Sequence, residues 1–197
     1  MTDKILRKQL REKRRNIPIP YKTYAAGNLA ANFNIQLIQD INTHQHKVGI
    51  YLALKEEINL QPLMKKLWQN CIKTFCPILH PLKPHHLFFI EYTDSTPLTT
   101  DKFGIATPIF NADKILAPWE LDIVFTPLVG FDANGNRIGM GAGFYDTSFA
   151  YRSLFKNETI LIGCAFDCQK LGNINANNWD QPLNAILTES GYLNCDN

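Results

Sequence analysis

Three glycines at alternate positions, Gly139, Gly141 and Gly143, lie within Phe131-Asp-Ala-Asn-Gly-Asn-Arg-Ile-Gly-Met-Gly-Ala-Gly-Phe-Tyr-Asp146. Lacking Cβ, each lets the backbone approach a ligand closely and reach positive φ. Successive N–H groups in such a loop can converge on phosphate oxygens. A helix predicted from about 144 to 155 would point the positive end of its dipole at the same place. Arg137 opens the loop and is, with Arg152, one of two arginines after residue 15. A guanidinium there can fork two phosphate oxygens. Asp146 closes the loop on the first helical turn. A carboxylate beside phosphates repels them unless a cation lies between, which suggests Mg2+. The spacing is neither G-x-x-x-x-G-K-[ST] nor G-x-G-x-x-G. The competing reading is a tight turn, since Asn134-Gly-Asn136 is turn chemistry and glycines often only permit packing.

Other groups could join this chemistry. Lys55-Glu-Glu-Ile58 follows a predicted strand, where two carboxylates could accept from an NH-rich ligand or could simply be solvated. In Trp179-Asp-Gln-Pro-Leu183, Asp180 could be a second metal ligand beside Asp146 or a turn residue. Of the five histidines, His44, His46, His80, His85 and His86, the adjacent pair His85/His86 lacks metal-ligand spacing to other candidates and reads as loop residues. The five cysteines are odd in number, form no C-x-x-C pair and read as buried reduced thiols. Charge is uneven. Residues 1–22 hold eight basic side chains and two acids, leaving 12 basic against 16 acidic in the remainder. The basic segment should meet something anionic.

These groups must be positioned by a chain of 197 residues, 45% apolar and 19% charged, with a net charge of +2. That length suits one domain, or two small ones, with a full core. The composition excludes disordered, collagen-like and coiled-coil chains. No apolar run approaches the ~18 residues of a membrane span, and no signal-type apolar stretch follows the basic start, so the cytoplasm is the expected location. Periodicity predicts helices over 3–16, 21–39 and 60–70, the last capped by Asn59. Pro18 and Pro20 end the first. Strands are predicted at 47–53, 72–79, 87–92, 122–127, 159–166 and 184–188, the last being the final one, with an irregular excursion over 93–120. Strands alternating with helices predict a three-layer α/β fold with a mainly parallel sheet. Such sheets bind ligands beyond the C-terminal ends of their strands, where strand order reverses.

The whole set resembles the 5-formyltetrahydrofolate cyclo-ligase family, also called 5,10-methenyltetrahydrofolate synthetases. It comprises a basic N-terminal helix with Leu6-Arg7, Glu56-Glu57-Ile58 after a strand, Arg137-Ile-Gly-Met-Gly-Ala-Gly-Phe-Tyr-Asp146, Asp167-Cys-Gln169 and Trp179-Asp180-x-Pro-Leu183. The likeness runs over nearly the whole chain. It implies a Rossmann-like three-layer sandwich of the NagB/RpiA/CoA-transferase type, formed by one domain over 1–197. It implies ATP- and Mg2+-dependent conversion of 5-formyltetrahydrofolate to 5,10-methenyltetrahydrofolate with release of ADP and phosphate. The formyl oxygen would attack the γ-phosphate, and N10 would then displace phosphate.

The resemblance also implies residue roles. Lys4, Ile5, Leu6, Arg7 and Lys8 would contact ATP, although Leu10-Arg11 fits the register almost as well. The loop Arg137, Ile138, Gly139, Met140, Gly141, Ala142, Gly143, Phe144 and Tyr145 would wrap the phosphates. Within it, Arg137 and Met140 to Phe144 would carry the catalytic step. Leu52, Glu57 and the Met140–Phe144 backbone would hold the folate, with Glu57 on the pterin, and Asp146 and Asp180 would bind Mg2+. With no basic residue at Met140 or Ala142, Arg137 and the N-terminal helix carry more of the phosphate contact. Asp146→Asn is then expected to raise the Mg2+ requirement with little loss of fold. A monomer is expected, acting on ATP and a folate (polyglutamylated or not), with no nucleic-acid or membrane partner. A nucleic-acid arm would leave the glycine loop unexplained, and a sugar-phosphate or CoA-ester enzyme would leave the basic helix unexplained.

Overall fold

The computed structural model describes residues 3–41, 46–153 and 159–195. The elements are α1 (Asp3–Arg15), α2 (Ile19–Asn32), α3 (Gln36–Gln39), β1 (Lys47–Gly49), α4 (Gln61–Gln69), β2 (Lys73–Leu79), β3 (Leu87–Tyr92), β4 (Leu98–Thr100) and β5 (Ala106–Pro108). They continue with β6 (Ile115–Leu116), β7 (Ile123–Pro127), β8 (Gly130–Phe131), β9 (Arg137–Ile138), α5 (Phe144–Ser148), β10 (Ile160–Cys164), β11 (Ala185–Leu187) and β12 (Tyr192–Asn194). Eight strands form one sheet in the order β12-β11-β10-β7-β1-β2-β3-β6. The centre, from β11 through β10, β7 and β1 to β2, is parallel. Antiparallel strands close both edges.

From β1 the chain moves outward to β2, β3 and β6, then returns to place β7 on the other flank of β1. Strand order therefore reverses between β1 and β7, where an α/β sheet opens its ligand crevice. Close approach of the strands is visible at Gly49, where a Cβ would stand 2.8 Å from Val124 Cγ2.

Each face carries its own core. On one, α2 and α4 supply Ala25, Leu29, Leu63 and Leu67, with Phe33 just after α2, against Val48, Ile123, Phe125 and Ile162. On the other, Phe75, Phe89, Val124, Leu128, Phe149 and Leu161 pack under α5 and the loops around it. A third cluster seats α1 through Leu10 on Val129 and Ile138 of the β8–β9 hairpin. Among the described residues no helix is long and apolar enough to cross a membrane.

Several boundaries differ from expectation. The helix predicted over 21–39 is two, because Phe33 is extended and Asn34 Oδ1 accepts the Gln36 N–H at 3.0 Å, starting a new turn. Pro18 and Pro20 sit at the start of α2, where a missing N–H costs nothing. The N-cap of α4 is Leu60, not the expected Asn59, because the helix starts at Gln61; Asn59 sits one residue earlier, its Oδ1 accepting the Gln61 N–H at 2.9 Å. The excursion over 93–120 contains the β4–β5 hairpin and β6. The helix predicted to 155 stops at Ser148 and continues as a 3-10 turn over Ala150–Ser153; residues 154 and 155 lie outside the described residues. The strand at Ala185–Leu187 is followed by β12. Cys76, Cys164 and Cys195 are buried free thiols, but Cys71 and Cys168 are exposed. His44 lies outside the described residues.

Candidate active site

A cleft of about 1260 Å³ opens at the β1/β7 reversal. Its wall takes residues from segments far apart in sequence: Leu6, Arg7 and Arg11 of α1, Tyr51, Leu52, Leu54 and Glu57 after β1, the end of β2, the β4–β5 hairpin, Arg137 to Thr147, and residues between Asn173 and Gln181.

The glycine loop forms one wall from end to end. Its base is the β8–β9 hairpin, whose turn is organised by buried Asp132. The Asp132 carboxylate accepts N–H bonds from Asn134, Asn136 and Ile174 at 2.9–3.0 Å, with Gly135 at φ 80°. The glycines are not equivalent. Gly141 and Gly143 have φ of 102° and 69°, whereas Gly139 is not left-handed. Gly143 is the residue from which α5 starts, its carbonyl accepting the Thr147 N–H at 2.9 Å.

Arg137 is committed within the wall. Its Nη2 donates to Asp146 Oδ1 at 2.5 Å and its Nη1 to the Gln181 carbonyl, leaving the side chain 4% exposed. Burial lowers the guanidinium pKa, and Asp146 pulls it back up. Arg137 therefore braces the loop and supplies charge beneath it, in place of a free phosphate fork. The Gln181 N–H also reaches Asp146 Oδ1, at 3.1 Å, so Asp180 is the chain neighbour of a residue bonded directly to Asp146. Asp180 Oδ2 accepts the Asn177 N–H at 2.7 Å. Both aspartates line the cleft. Each carboxylate keeps one oxygen, Oδ2 of Asp146 and Oδ1 of Asp180, with no hydrogen bond among the described residues. Two part-used carboxylates suit a hard cation that retains several waters, as Mg2+ does. Among the described residues no group of three His, Cys, Asp or Glu forms a fuller cage.

The adjacent glutamates divide sharply. Glu56 turns to α1, pairing with Arg11 at 3.5 Å, Arg14 at 3.9 Å and, more closely, Arg15. Burial pushes its pKa up, but the three guanidinium groups outweigh that and hold it below the ordinary carboxylate value. Glu57 lines the cleft, its Oε2 accepting, among the described residues, only the Leu54 N–H at 3.0 Å. Burial raises its pKa; the Leu54 N–H and Arg14 offset this in part. A desolvated, under-bonded carboxylate in a cleft is a receptor for an N–H-rich edge. Leu52 lines the same wall, over Tyr51, whose hydroxyl donates to the Ile58 carbonyl at 3.0 Å.

On α1 the i, i+3, i+4 stripe faces inward. Arg7 Nε donates to the Gly139 carbonyl at 3.0 Å, and buried Arg14 Nη1 to the Leu128 carbonyl at 3.0 Å. Leu6 and Arg7 reach the cleft as expected; Lys4, Ile5 and Lys8 do not line it, and Ile5 is half exposed. Arg11, on the alternative Leu10-Arg11 register, does line it: both registers face inward because they are one helical turn apart. Gln169 is structural, its Nε2 bonded to the Leu128 and Val129 carbonyls.

Sequence reasoning missed three parts of the wall: the β2 end Cys76–Leu79, Phe103 on the β4–β5 hairpin, and the asparagine-rich segment Asn173–Asn178. It read His85 as a loop residue without a role, whereas its Nδ1 is 2.8 Å from the Ala142 carbonyl. Only composition hinted at any of these, through four asparagines crowded between Gly172 and Trp179.

A mainly parallel sheet with a glycine loop, a half-buried carboxylate and two part-used aspartates around one cleft at its switch point has the layout of an α/β ligand site. The family model of the 5-formyltetrahydrofolate cyclo-ligase family matches residues 1–189, and the chain belongs to that family of ligases. A 5-formyltetrahydrofolate cyclo-ligase of Haemophilus influenzae is 39% identical over 141 residues, covering 71% of this chain and 74% of its own. One from Escherichia coli is 34% identical over 145 residues, covering 74% and 79%. The solved 5,10-methenyltetrahydrofolate synthetase of Aquifex aeolicus shares the fold with a TM-score of 0.76 and 22% identity, over 100% of this chain and 94% of its own. That of Mycoplasma pneumoniae does so with a TM-score of 0.69 and 22% identity, over 96% and 99%.

Proposed function

We propose that this chain converts 5-formyltetrahydrofolate to 5,10-methenyltetrahydrofolate at the expense of ATP, with Mg2+, in the cleft at the β1/β7 reversal. The observation that carries the reading is that Glu57, after β1, and the glycine loop, after β7, line one and the same cleft. The N5-formyl group is an amide, so its carbon is a poor electrophile and its oxygen a poor leaving group. Attack of that oxygen on the γ-phosphorus expels ADP and turns the oxygen into a phosphate ester. N10 then attacks the activated carbon, the C–O bond breaks, phosphate leaves with the bonding pair, and the N10 proton departs to the phosphate or to water.

The residues serve positioning and charge balance more than proton transfer. Glu57 holds the N–H edge of the pterin over Leu52. The loop Ile138–Tyr145 presents backbone N–H groups to the phosphates, and Arg137 holds it from beneath. Leu6 and Arg7 close the nucleotide side, with Arg11 beside them. Lys4 and Lys8, one turn away, add to the field that draws in an anion. Asp146 and Asp180 would hold Mg2+, which neutralises phosphate charge during transfer. α1 covers the nucleotide end, held there by Glu56, and the chain works as one catalytic unit in the cytoplasm.

The test mixes protein, 5-formyltetrahydrofolate, Mg2+ and ATP and follows the methenyl-folate absorbance band. A rise that needs both ATP and Mg2+ is expected. No rise from folded, ATP-binding protein would mean that the loop serves another substrate.

A further inference from the structure

The glycine loop has little intrinsic shape. Gly141 and Gly143 both lie in the left-handed region, which glycine leaves as easily as it enters. Its form must therefore be imposed by bonds from outside. Arg7 takes the Gly139 carbonyl, and α5 takes that of Gly143 through the Thr147 N–H. Between them, the Ala142 carbonyl is taken by His85 at 2.8 Å, from the β2–β3 turn 57 residues earlier. A carbonyl only accepts, so Nδ1 carries the hydrogen; both the neutral Nδ1–H tautomer and the imidazolium satisfy this.

The turn is built to deliver that ring. His80 Nδ1 accepts the N–H groups of Leu82 at 3.1 Å and Lys83 at 3.0 Å, and the His80 ring stacks on Phe88 at 4.3 Å. The His80 N–H bonds the His86 carbonyl at 2.9 Å, closing the turn. His85 itself sits at φ 60°, a region that only a few per cent of non-glycine residues occupy. Its ring then lies 5.6 Å from that of Phe144, the first residue of α5. Backbone strain beside a designed contact is a mark of a functional constraint.

We propose that His85 is a positioning residue. Its Nδ1–H holds the Ala142 carbonyl, and because the peptide is planar and trans this aims the Gly143 N–H in the opposite direction. The clamp fixes the direction in which the loop presents that amide to a phosphoryl oxygen. His85 stands outside the cleft lining and touches no reacting atom. The inference rests on the loop being the phosphate site.

Two substitutions separate backbone from side chain. His85→Gly keeps the left-handed backbone and deletes the donor. His85→Asn tolerates the same φ, and its Nδ2 stands as many bonds from the backbone as the imidazole Nδ1. In the ligand-free protein, H85G should speed amide exchange across Gly141–Phe144, with H85N returning it toward wild type. In turnover, H85G should raise the KM for ATP about threefold to tenfold, the scale of one hydrogen bond, and move the folate KM less than about twofold, with H85N restoring the ATP KM. Unchanged exchange and ATP KM in H85G would overturn the clamp, as would H85N performing no better than H85G. A wild-type protein inert toward ATP and formylated folate, but with the predicted exchange pattern, would sink the functional reading and leave the clamp standing.

Discussion

One face of the sheet is covered by α2 and α4, the other by the short α5, a 3-10 turn and loops. On the helical face, buried side chains recur at helical spacing and meet strand residues directly, as Leu63 and Leu67 do. On the loop face, position is held by polar bonds across long sequence separations: Arg137 to the Gln181 carbonyl, Arg7 to the Gly139 carbonyl, His85 to the Ala142 carbonyl. The first arrangement is sturdy because it is redundant. The second can place an N–H or a carboxylate to a fraction of an ångström, but each contact is made once. Stability should therefore reside on one face and chemistry on the other.

The strongest challenge is Leu63→Ala, which opens a void where the side chain is fully buried. A loss of about 2–5 kcal/mol in denaturant unfolding is expected, with both KM values unchanged under folding conditions. A large shift in either KM would mean the faces are coupled.

Asp146→Asn tests the loop face next. The structure revises the expectation of little loss of fold, since Asp146 is the counter-charge of a buried guanidinium. Asn keeps an acceptor but not the charge. Turnover at fixed Mg2+ should fall about 100-fold, and Tm by roughly 3–8 °C, as charge-assisted contacts are lost. Unaltered Tm would show that Arg137 is held by the Gln181 carbonyl alone.

Glu57→Gln should dissociate the two properties. Loss of a charge-assisted bond should raise the folate KM about 10–100-fold. Burial raises the folded pKa above the ordinary 4.5, so ionising Glu57 opposes folding. That penalty is absent below the unfolded pKa and fully present above the folded one. The variant should thus match or exceed wild-type Tm at neutral pH, with the difference vanishing in acid. A lower Tm at neutral pH would make Glu57 structural.

The smallest effect compares two glycines. Gly143→Ala forces a side chain into the left-handed region at φ 69°, a cost of about 1–2 kcal/mol, or roughly tenfold in turnover. Gly139→Ala meets nothing within 4 Å and should stay within about twofold of wild type. Equal losses would mean that both glycines face the ligand.

The same contrast explains what could be read from the sequence. The helical face was legible because burial at Leu60, Leu63, Met64 and Leu67 follows the 3.6-residue period. The alternation of strands and helices pointed to a parallel sheet and hence to a site at its switch point. The glycine loop with Arg137 and Asp146 stood out in the sequence as a possible phosphate site, whereas spacing left Glu57 and Asp180 open to solvated or turn readings and only the family resemblance singled them out; the fold places all of them on one cleft. His85, Phe103 and Asn173–Asn178 were not legible, since nothing in local pattern says which turn will fold against which loop. The choice between Leu6-Arg7 and Leu10-Arg11 could not be made from spacing because one helix face presents both. Arg137 looked like a phosphate fork because its partners, Asp146 and the Gln181 carbonyl, meet it only through the tertiary fold.

The bond from Arg14 to the Leu128 carbonyl spans 114 residues. During synthesis α1 emerges long before the strand and hairpin it rests on. At translation rates of about 5–20 residues per second, the nascent helix waits roughly 6–23 s for its seat. Its stripe of Leu6 and Leu10 meanwhile has no hairpin to cover it, and its arginines lack the Leu128 and Gly139 carbonyls. Closing so long a loop comes late and slowly. A ribosome-bound chain halted before residue 128 would therefore lack the seat on which α1 rests, and Arg14 would have no Leu128 carbonyl to bond.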